Sequence, residues 1–556
     1  MDQRPRRLVR SLLAACTALM VQAAAAQDAV VAWRDAGTVR WHGLSSGQAR
    51  LPERIPLGSV WKLFVYAYLA DTGKDEPAYR CAARSTARGE DEYCCEPGAW
   101  VERDDALARS CAPYFAPTRL GIAAADWRRY WQERGDPDAE WLADLDKLKA
   151  DTRVAPAQLL AALDAVSPPA RRRAREALLA VLLQGYGRDA WPETGTGLRF
   201  KTFSWHDEHG RNIGGGAGWT SDGTAFWFAA AGASRNAIER HGAALAQGLP
   251  APDTDADEGD APCVDVHFFA RYPIASVRDA QGRAVPGGSL AGPVEVRFEN
   301  GSRLTLYPRR TLDLDHEGGR PVIRGRFTIE DYVARVIDRE GSAAQPQAAR
   351  ALAVAARSYL VQQANFANGC RSIADDSRRQ RVSPNPPSAA ARAAARFTEG
   401  LVLQTPVRYH RDKAAPQVMS WRRAEALAAS GQRFDAILAD AFSPAAFGGI
   451  GHGTDCARLA DAEAWLAGRG VTWARALRPE PGFETPERIT VCALGTGHPY
   501  ADEGRNRIYV RDWMSAQGRL ALAHEYVHLA FRFHPSGEDE DFVERTARRL
   551  DAGALP

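Results

Sequence analysis

Residues 330–340 read EDYVARVIDRE, and residues 347–359 read QAARALAVAARSY. Both stretches are rich in helix-favouring and apolar residues, and they predict a helical segment that continues to Phe366. The chain just before them is rich in residues that favour strands. Strands followed by helices predict an α+β unit in the middle of the chain. The predicted strands are Val294–Phe298, Arg303–Tyr307 and Val322–Ile329.

Together with several later segments, these two stretches resemble the SpoIID/LytB family over roughly residues 263–446. In that family a tyrosine-containing helix, a glutamate and an alanine-rich helix occur in this order. The resemblance implies a domain that cleaves the glycan strands of the cell wall. The later segments are Asp376-Ser377 with Gln380, residues 399–403, Tyr409-His410, Met419-Ser420-Trp421 and residues 434–438.

Glu340 is the candidate catalytic residue of this region. A lytic transglycosylase needs one carboxyl group, because the 6-hydroxyl of the sugar is the internal nucleophile, whereas ordinary glycosidases need two carboxylates. The small residues 341–344 favour partial burial of Glu340 and a raised pKa, which suits protonation of the glycosidic oxygen. The alternative is a solvated glutamate at a helix end, beside Asp338 and Arg339. Arg357, inside the alanine-rich helix, is interpreted as a buried structural partner.

A second candidate site lies near the start of the chain. Ser59 and Lys62 precede the apolar stretch LFVYAYLA, which predicts a helix over Ser59–Leu69. Serine and lysine three residues apart share one helical face, so the amine can accept the hydroxyl proton. The SxxK pattern alone is weak, because a helix start with a capping serine and a lysine also produces it.

Two later segments strengthen this interpretation, because residues 106–115 and 201–204 resemble two further motifs of penicillin-binding proteins and serine β-lactamases. The resemblance covers about residues 28–247. It implies Ser59 as nucleophile with Lys62 as its base, Ser110 and Lys201 as proton relays, and Thr202 as a contact for a substrate carboxylate.

Two positions depart from the pattern of that family. Ala112 stands where the family has asparagine, and Phe203 stands where it has a glycine that lets substrate lie along the strand. The alternative is therefore a domain that kept the scaffold and lost turnover, or that only binds peptide.

The third candidate site is the pentapeptide HEYVH at residues 524–528, within an apolar run. On a helix, His524 and His528 share one face and can bind one Zn²⁺, with Glu525 placed to deprotonate a metal-bound water. The alternative is that His528 packs against the core and Glu525 faces solvent.

The third zinc ligand is not fixed by this motif. His534 has the spacing of a third histidine, but Phe531 occupies the position of the glycine that such an arrangement needs, so His534 is not preferred. A second helix predicted over residues 538–550 carries Glu540, Asp541 and Glu544 among its acidic residues. Glu544 is the preferred ligand, by analogy with zinc peptidases that take a glutamate from a following helix.

A length of 556 residues exceeds what one hydrophobic core supports, so three domains are expected. A net charge of +2 gives no case for nucleic-acid binding. The fold class expected is a multidomain α/β (α+β) chain. The expected parts are a signal peptide at 1–26, a penicillin-binding-like domain at 27–247, a linker at 248–262, a SpoIID-like domain at 263–446 and a small zincin-like domain at 447–556.

The N-terminus and the cysteines both indicate export. Four arginines precede the apolar stretch Leu12–Val21, and Ala24-Ala25-Ala26 supplies small residues for cleavage. No later segment is long and apolar enough to span a membrane. The remaining cysteines form even sets by region, which favours disulfides in an oxidising periplasmic or secreted location. The sets are Cys81, Cys94, Cys95 and Cys111; Cys263 and Cys370; and Cys456 and Cys492.

An exported chain with all three regions resembles the YfaQ-type family of uncharacterised secreted bacterial proteins, which implies an envelope location. The leading hypothesis is a peptidoglycan-acting protein whose middle domain cleaves glycan and whose first domain handles stem peptide, with other envelope proteins as further partners. The first alternative is a secreted zinc endopeptidase, with one Zn²⁺ per chain, docked on the wall. The second is a non-enzymatic scaffold that binds peptidoglycan.

Overall fold

The computed structural model describes eighteen segments of the chain. The expected signal peptide, residues 251–262 of the expected linker, and Cys94, Cys95 and Cys456 lie outside them. None of the described helices is long and apolar enough to cross a membrane. The described residues are 29–45, 49–74, 76–77, 79–81, 100–183, 191–206, 210–250, 263–367, 370–413, 415, 417–443, 445–450, 457–486, 489–494, 499–502, 506–510, 513–537 and 539–553.

The N-terminal region is built on a five-stranded antiparallel sheet in the order β2-β1-β9-β8-β7. The first helix, α1, is buried along residues 61–69, as expected for a helix that is apolar on all sides. A 3₁₀ turn at Gly58–Val60 leads into it. The elements are β1 (Val30–Asp35), β2 (Thr38–Gly43), β3 (Ile55–Pro56), α1 (Trp61–Thr72), β4 (Tyr79–Arg80), β5 (Trp100–Val101), α2 (Arg103–Ala108), α3 (Ala112–Phe115), α4 (Ala124–Gln132), β6 (Arg153–Val154), α5 (Pro156–Asp164), α6 (Pro168–Leu183), α7 (Trp191–Thr194), β7 (Arg199–His206), β8 (Asn212–Trp219), β9 (Ala225–Ala231) and α8 (Ser234–Gly248).

The middle region combines a six-stranded sheet, in the order β12-β15-β16-β10-β18-β17, with a three-stranded sheet, β11-β13-β14. All three predicted strands are present here, within two residues of their predicted bounds. The elements are β10 (Cys263–Phe268), β11 (Ile274–Asp279), β12 (Gly288–Ser289), β13 (Val294–Phe298), β14 (Arg303–Leu306), β15 (Asp313–Glu317), β16 (Arg320–Thr328), α9 (Ile329–Glu340), α10 (Pro346–Gln363), β17 (Asn365–Ala367), β18 (Cys370–Ala374), α11 (Ala389–Phe397), β19 (Leu401–Leu403), β20 (Arg408–His410), β21 (Val418–Ser420), α12 (Trp421–Ala429), α13 (Phe434–Ala441) and β22 (Phe447–Gly449).

The predicted helical segment from Glu330 to Phe366 is two helices, α9 and α10. Gly341 ends α9, and Pro346 occupies the first turn of α10, where its missing N–H costs nothing. At Gly341 a Cβ atom would lie 2.6 Å from Leu352 Cδ2. The break therefore follows from residues that were visible in the sequence.

One disulfide has both cysteines among the described residues, and it follows the predicted grouping. Cys263 and Cys370 form a disulfide that joins the parallel strands β10 and β18, with Cα atoms 4.7 Å apart. Cys81, Cys111 and Cys492 are also disulfide-bonded.

The C-terminal region has a four-stranded sheet in the order β23-β24-β26-β25, with two helices, α15 and α16, packed together beside it. Ser515 caps α15 by accepting a hydrogen bond from the backbone N–H of Gly518 at 3.0 Å. Asp539 caps α16 in the same way. The elements are β23 (Ala457–Arg458), α14 (Ala460–Leu477), β24 (Thr490–Ala493), β25 (Tyr500–Asp502), β26 (Arg507–Val510), α15 (Ala516–Ala530) and α16 (Glu540–Asp551).

The N-terminal and middle regions share one hydrophobic cluster, which runs from the sheet residue Phe228 through Trp191 to Phe434. Arg175 on α6 donates two hydrogen bonds to the carboxylate of Glu399, at 2.8 and 2.9 Å. Strand β22 pairs with β19 of the middle region, so its three residues extend that region past the predicted boundary at residue 446.

The C-terminal region contacts the N-terminal region through Glu102. Arg507 on β26 donates to one oxygen of its carboxylate, and the Thr490 hydroxyl donates to the other at 2.7 Å. Arg507 is buried in this contact. Since Glu102 directly precedes α2, this ion pair lies at the start of the helix that leads to Ser110.

Candidate functional site

The structure brings Ser59, Lys62 and Ser110 together. The Nζ atom of Lys62 lies 3.0 Å from Ser59 Oγ and 3.2 Å from Ser110 Oγ, and the Lys62 side chain is buried. Ser110 has a φ of 62°, in the left-handed region, so the chain bends sharply as it places this hydroxyl beside the amine. The cluster has the geometry of a serine nucleophile beside a base.

Lys201 and Thr202 lie on β7, at the edge of the five-stranded sheet. Both side chains are buried, and Lys201 Nζ is 3.2 Å from the carbonyl oxygen of Thr202 and 3.5 Å from its hydroxyl. Their roles as proton relay and carboxylate contact stay predictions.

Phe203 packs against the turn that carries the candidate nucleophile. A Cβ atom on Gly58 would lie 2.8 Å from Phe203 Cβ, and Gly58 has a φ of 50°, so this position requires glycine. The ring of Phe203 lies parallel to Trp227 with centroids 6.5 Å apart. The large side chain therefore packs against Gly58, directly before Ser59, at the position where the family pattern discussed above has glycine.

Glu340 is the last residue of α9 and is partly exposed. Burial raises the pKa of its carboxyl to about 7, although hydrogen bonds from the backbone N–H of Arg381 and the hydroxyl of Tyr409 oppose the shift. The expected partial burial and raised pKa are confirmed. A group with this pKa is part protonated near neutral pH, as a general acid needs to be.

A buried hydrogen-bond network holds Tyr409 against Glu340. Gln380 donates to the Tyr409 hydroxyl at 2.7 Å and to the carbonyl of Ala356 at 3.0 Å, and it accepts from the hydroxyl of Tyr332. Tyr332 and Gln380 are fully buried. The Tyr409 hydroxyl, which accepts from Gln380, is thereby oriented to donate to the carboxylate.

Two residues of this site, Asp375 and Arg381, were not predicted from the sequence. Asp375 is buried, accepts from the backbone N–H of Val382 at 3.1 Å and pairs with Arg381 at 3.3 Å. Burial raises the pKa of Asp375, while the Val382 bond and Arg381 oppose the rise. Their position in the sequence could have identified them, because they flank the segment from Asp376 to Gln380 that carried the family resemblance.

Arg357 has the structural role that was predicted for it. Its side chain is fully buried and pairs with Glu330, and it donates to the carbonyl of Leu401 at 3.0 Å. It joins α9, α10 and the start of β19.

His524 and His528 lie on one face of α15, as the motif predicts. Their Nε2 atoms are 3.1 Å apart. The Nδ1 atom of His528 lies 2.7 Å from the carbonyl oxygen of Gly537, which fixes the ring and leaves Nε2 directed at its neighbour. Burial and the neighbouring His524 lower the pKa of His528 and favour the neutral imidazole that binds metals.

The carboxylate next to both Nε2 atoms belongs to Glu540, not to the predicted Glu544. Glu540 oxygens lie 3.3 Å from His524 Nε2 and 3.8 Å from His528 Nε2, and the three groups fit within 4.8 Å of one another. Glu544 instead contacts His524 Nδ1 at 3.1 Å. The geometry therefore favours Glu540 as third ligand and gives Glu544 an orienting contact behind His524.

The remaining residues of this motif are also placed. Glu525 is buried and accepts a hydrogen bond from the backbone N–H of Ala501 on β25. Burial and the negative charge of Glu540 raise the pKa of Glu525 to about 8. His534 lies beyond the end of α15, contacts Ser536 at 3.1 Å and packs on Gly482. Two histidines whose Nδ1 atoms are engaged, with a carboxylate beside their Nε2 atoms, fit a zinc ion.

Three comparisons with known proteins define the class of this chain. Residues 320–404 match the family model described as stage II sporulation protein, SpoIID, and residues 86–212 and 418–536 match that of a predicted secreted protein, DUF2300. The chain is thus a predicted secreted, multidomain α+β protein with a SpoIID region, and such a protein acts on the cell wall.

The family follows from a close relative. The chain is 40% identical over 507 residues to the uncharacterized protein YfaQ of Escherichia coli (strain K12), a match that covers 90% of each protein. This chain belongs to the YfaQ family.

Solved structures were also compared. The chain is similar to a class A β-lactamase of the last common ancestor of Gram-negative bacteria (17% identity, 40% of this chain, 94% of that chain, TM-score 0.26). It is also similar to the transpeptidase domain of the FtsI4 D,D-transpeptidase from Legionella pneumophila (14%, 40%, 88%, TM-score 0.28). The candidate site of the N-terminal region is defined by its own serine and lysine geometry.

Proposed function

We propose that this protein cleaves the glycan strands of peptidoglycan, with Glu340 as general acid. The observation that carries the proposal is a carboxyl at a helix end whose pKa is about 7, held by the hydroxyl of Tyr409 and a backbone N–H. The SpoIID match includes Glu340 and supports a glycan substrate. No metal or second carboxylate is needed for this reaction.

The proposed reaction balances without water. Protonated Glu340 gives its proton to the glycosidic oxygen, and the bond from that oxygen to the sugar C1 breaks. The 6-hydroxyl of the same sugar then attacks C1, and the Glu340 carboxylate takes the hydroxyl proton. The products are a 1,6-anhydro sugar and a strand with a new free hydroxyl, and the acid is regenerated.

The test is muropeptide analysis of purified sacculi after incubation with the mature protein. Wild type should release anhydro-muropeptides, and Glu340→Gln should release at least about 100-fold less while still binding sacculi, because the amide keeps the shape but has no proton to donate. Products with a reducing end would show that water attacks, with Asp375 as a candidate base, and would contradict the single-carboxyl reaction.

A second candidate function, a zinc-dependent endopeptidase, is favoured by the contact of His524, His528 and Glu540. These three side chains would hold Zn²⁺, which when bound polarises a peptide carbonyl and acidifies water. Glu525 would accept the proton of that water. Peptide cleavage that is lost with a chelator and in Glu525→Gln, but persists in Glu340→Gln, would assign the activity to this site.

The serine cluster supports a narrower role, the binding or acyl transfer of stem peptides. Lys62 supports acyl transfer because it contacts both serine hydroxyls. Phe203 and Ala112 support the alternative of a peptide-binding scaffold without turnover. Contacts with other envelope proteins remain part of the proposal.

A further inference from the structure

The C-terminal region holds the residue at the start of α2. Both carboxylate oxygens of Glu102 accept hydrogen bonds from C-terminal side chains, one from Arg507 and the other from the Thr490 hydroxyl at 2.7 Å. Thr490 and Arg507 lie side by side on the parallel strands β24 and β26, and both are buried. The side chain of Glu102 makes no capping hydrogen bond to its own helix. Its carboxylate therefore joins α2 to the C-terminal sheet.

The other end of α2 fixes the position of Ser110. The backbone N–H of Ser110 donates to the carbonyl of Leu107 at 3.2 Å, and that of Cys111 donates to the carbonyl of Ala106 at 2.8 Å. These two bonds, with Ser110 at a φ of 62°, form the Schellman motif that ends many helices. Because α2 has only six residues, less than two helical turns separate Ser110 from the contact at the start of the helix.

The middle of α2 is fixed against the helix that carries the lysine. The hydroxyl of Tyr66 donates to Asp104 Oδ1 at 2.6 Å, and both side chains are buried. Tyr66 lies four residues after Lys62 on α1, so the two share one helical face. The Nζ atom of Lys62 is in turn 3.2 Å from Ser110 Oγ. Helix α2 thus connects the serine site with the C-terminal sheet.

We propose that Arg507 is a positioning residue for the serine site, because through Glu102 and α2 it holds the hydroxyl of Ser110 in place. The inference rests on the proposed acyl transfer at Ser59 and adds the C-terminal region to that site. Glu102 and Arg507 lie in the two separate segments that match the DUF2300 model, as expected if these segments form one functional unit. The serine site then depends on a side chain of another region.

The position of Ser110 matters because acylation has to move a proton. As Ser59 Oγ bonds to a carbonyl carbon, Lys62 accepts the hydroxyl proton, and the bond to the leaving nitrogen breaks as that nitrogen gains a proton. The Ser110 hydroxyl, beside Lys62 Nζ, can pass this proton on. A displacement of about 1 Å slows such a step about 100-fold and leaves noncovalent binding nearly unchanged.

The test follows acylation of the full-length protein by a fluorescent penicillin at several concentrations, which separates the noncovalent dissociation constant from the acylation rate constant. Arg507→Met keeps a long side chain but removes the donor to Glu102. The acylation rate constant should fall about 10- to 100-fold, whereas the dissociation constant should change less than about twofold. Arg507→Lys keeps a charged donor for the one oxygen that Arg507 contacts and should stay within about threefold of wild type.

Two further variants separate positioning from a loss of stability. Glu102→Gln should slow acylation as well, and when it is combined with Arg507→Met the rate constant should fall no further, because both changes break one contact. Leu550→Ala is the control, since it removes a buried side chain from the C-terminal core and leaves the Arg507 contact intact. It should lower the unfolding temperature without changing the acylation rate constant. Thermal unfolding confirms that each variant is folded at the assay temperature.

The contrary results differ in what they exclude. Unchanged acylation in both Arg507→Met and Glu102→Gln would overturn the positioning role and leave Ser59 as the nucleophile. An equal loss of rate in Leu550→Ala would mean that acylation follows the stability of the C-terminal region in general, which also overturns the role of this contact. A wild type that is not acylated at all would overturn the proposed acyl transfer, and the positioning role with it.

Discussion

At the scale of single residues, two side chains determine the chemistry of the candidate sites. Lys62 contacts two serine hydroxyls, and Glu340 has a pKa raised to about 7 by burial. Ser110 lies 48 residues along the chain from Lys62. Helical spacing nevertheless predicted the contact of Lys62 with Ser59, and a family resemblance predicted its contact with Ser110. The raised pKa of Glu340 was predicted because small residues follow it in the sequence. The contribution of Asp375 and Arg381 was not, since their effect depends on a loop that folds back onto the end of α9.

The raised pKa of Glu340 has a consequence for stability. The carboxyl titrates at about 7 in the folded chain against an ordinary value of 4.5, so the folded state holds its proton more tightly than the unfolded state does. The free energy of unfolding therefore falls by at most about 3 kcal/mol as pH rises from 4.5 to 7. Glu340→Gln should remove this loss and be more stable than wild type at pH 8, but not at pH 4.5.

Urea denaturation at the two pH values measures this difference. The control is Glu133→Gln, which changes an exposed carboxyl on the surface. It should change the free energy of unfolding by less than about 0.5 kcal/mol at either pH. An equal effect of Glu340→Gln at both pH values would mean that the carboxyl is solvated, the alternative left open by the sequence.

The serine cluster gives a prediction about acylation. A fluorescent penicillin should label wild type at one position, and Ser59→Ala should abolish the label, because Ser59 lies at a helix start with the Lys62 amine 3.0 Å from its hydroxyl. Ser45→Ala, an exposed serine, is the control and should label like wild type. Label that survives Ser59→Ala would exclude this nucleophile, and an unlabelled wild type would favour the binding scaffold.

At the scale of elements, helix spacing limits the metal ligands but does not select among them. Glu540 and Glu544 are one turn apart on α16, so both lie on the face toward α15. Which of them reaches the Nε2 atoms depends on how the two helices cross, and no local pattern encodes that crossing. His534, which the sequence did not favour as a ligand, lies beyond the end of α15 at Ala530 and contacts Ser536.

These contacts predict an order of effects on metal content. Purified full-length protein should hold about one Zn²⁺ per chain. Glu540→Ala should lose most of it, because it removes a ligand, whereas Glu544→Ala should weaken binding about 10- to 100-fold, the usual effect of removing a group that orients a ligand. His534→Ala is the control and should keep full occupancy.

Metal analysis of protein purified without chelators measures this order. Titration with a competing chelator separates a lost ligand from a weakened one. Stronger loss in Glu544→Ala than in Glu540→Ala would restore the sequence-based choice. Zinc that is substoichiometric in wild type and unchanged in His524→Ala would leave the motif as a coincidence.

At the scale of the whole molecule, length predicted three domains and the motifs predicted their order, but neither predicted how the domains join. The sequence predicted a linker at residues 248–262 between the first two domains. In the structure, Trp191 and Phe434 meet across the first and second regions with ring centroids 5.6 Å apart, inside a shared cluster. Such contacts join residues more than 200 positions apart, and hydrophobic periodicity identifies a buried face without identifying its partner.

The shared interface predicts that the first two regions unfold together and that a buried ion pair contributes to this. Arg175 and Glu399 form a two-bond contact with side chains only 13% and 19% exposed. Glu399→Ala would leave the guanidinium of Arg175 without this partner in the interface and should cost about 2–4 kcal/mol. Arg433 and Glu193 also pair across the two regions, but at 45% and 57% exposure, so Glu193→Ala should cost less than about 1 kcal/mol.

Thermal unfolding followed by tryptophan fluorescence measures the effects of both substitutions. Wild type should show one transition for these regions. Its midpoint temperature should fall several degrees more in Glu399→Ala than in Glu193→Ala. Equal shifts, or separate transitions in wild type, would mean that the two regions are independent domains joined only by their linker.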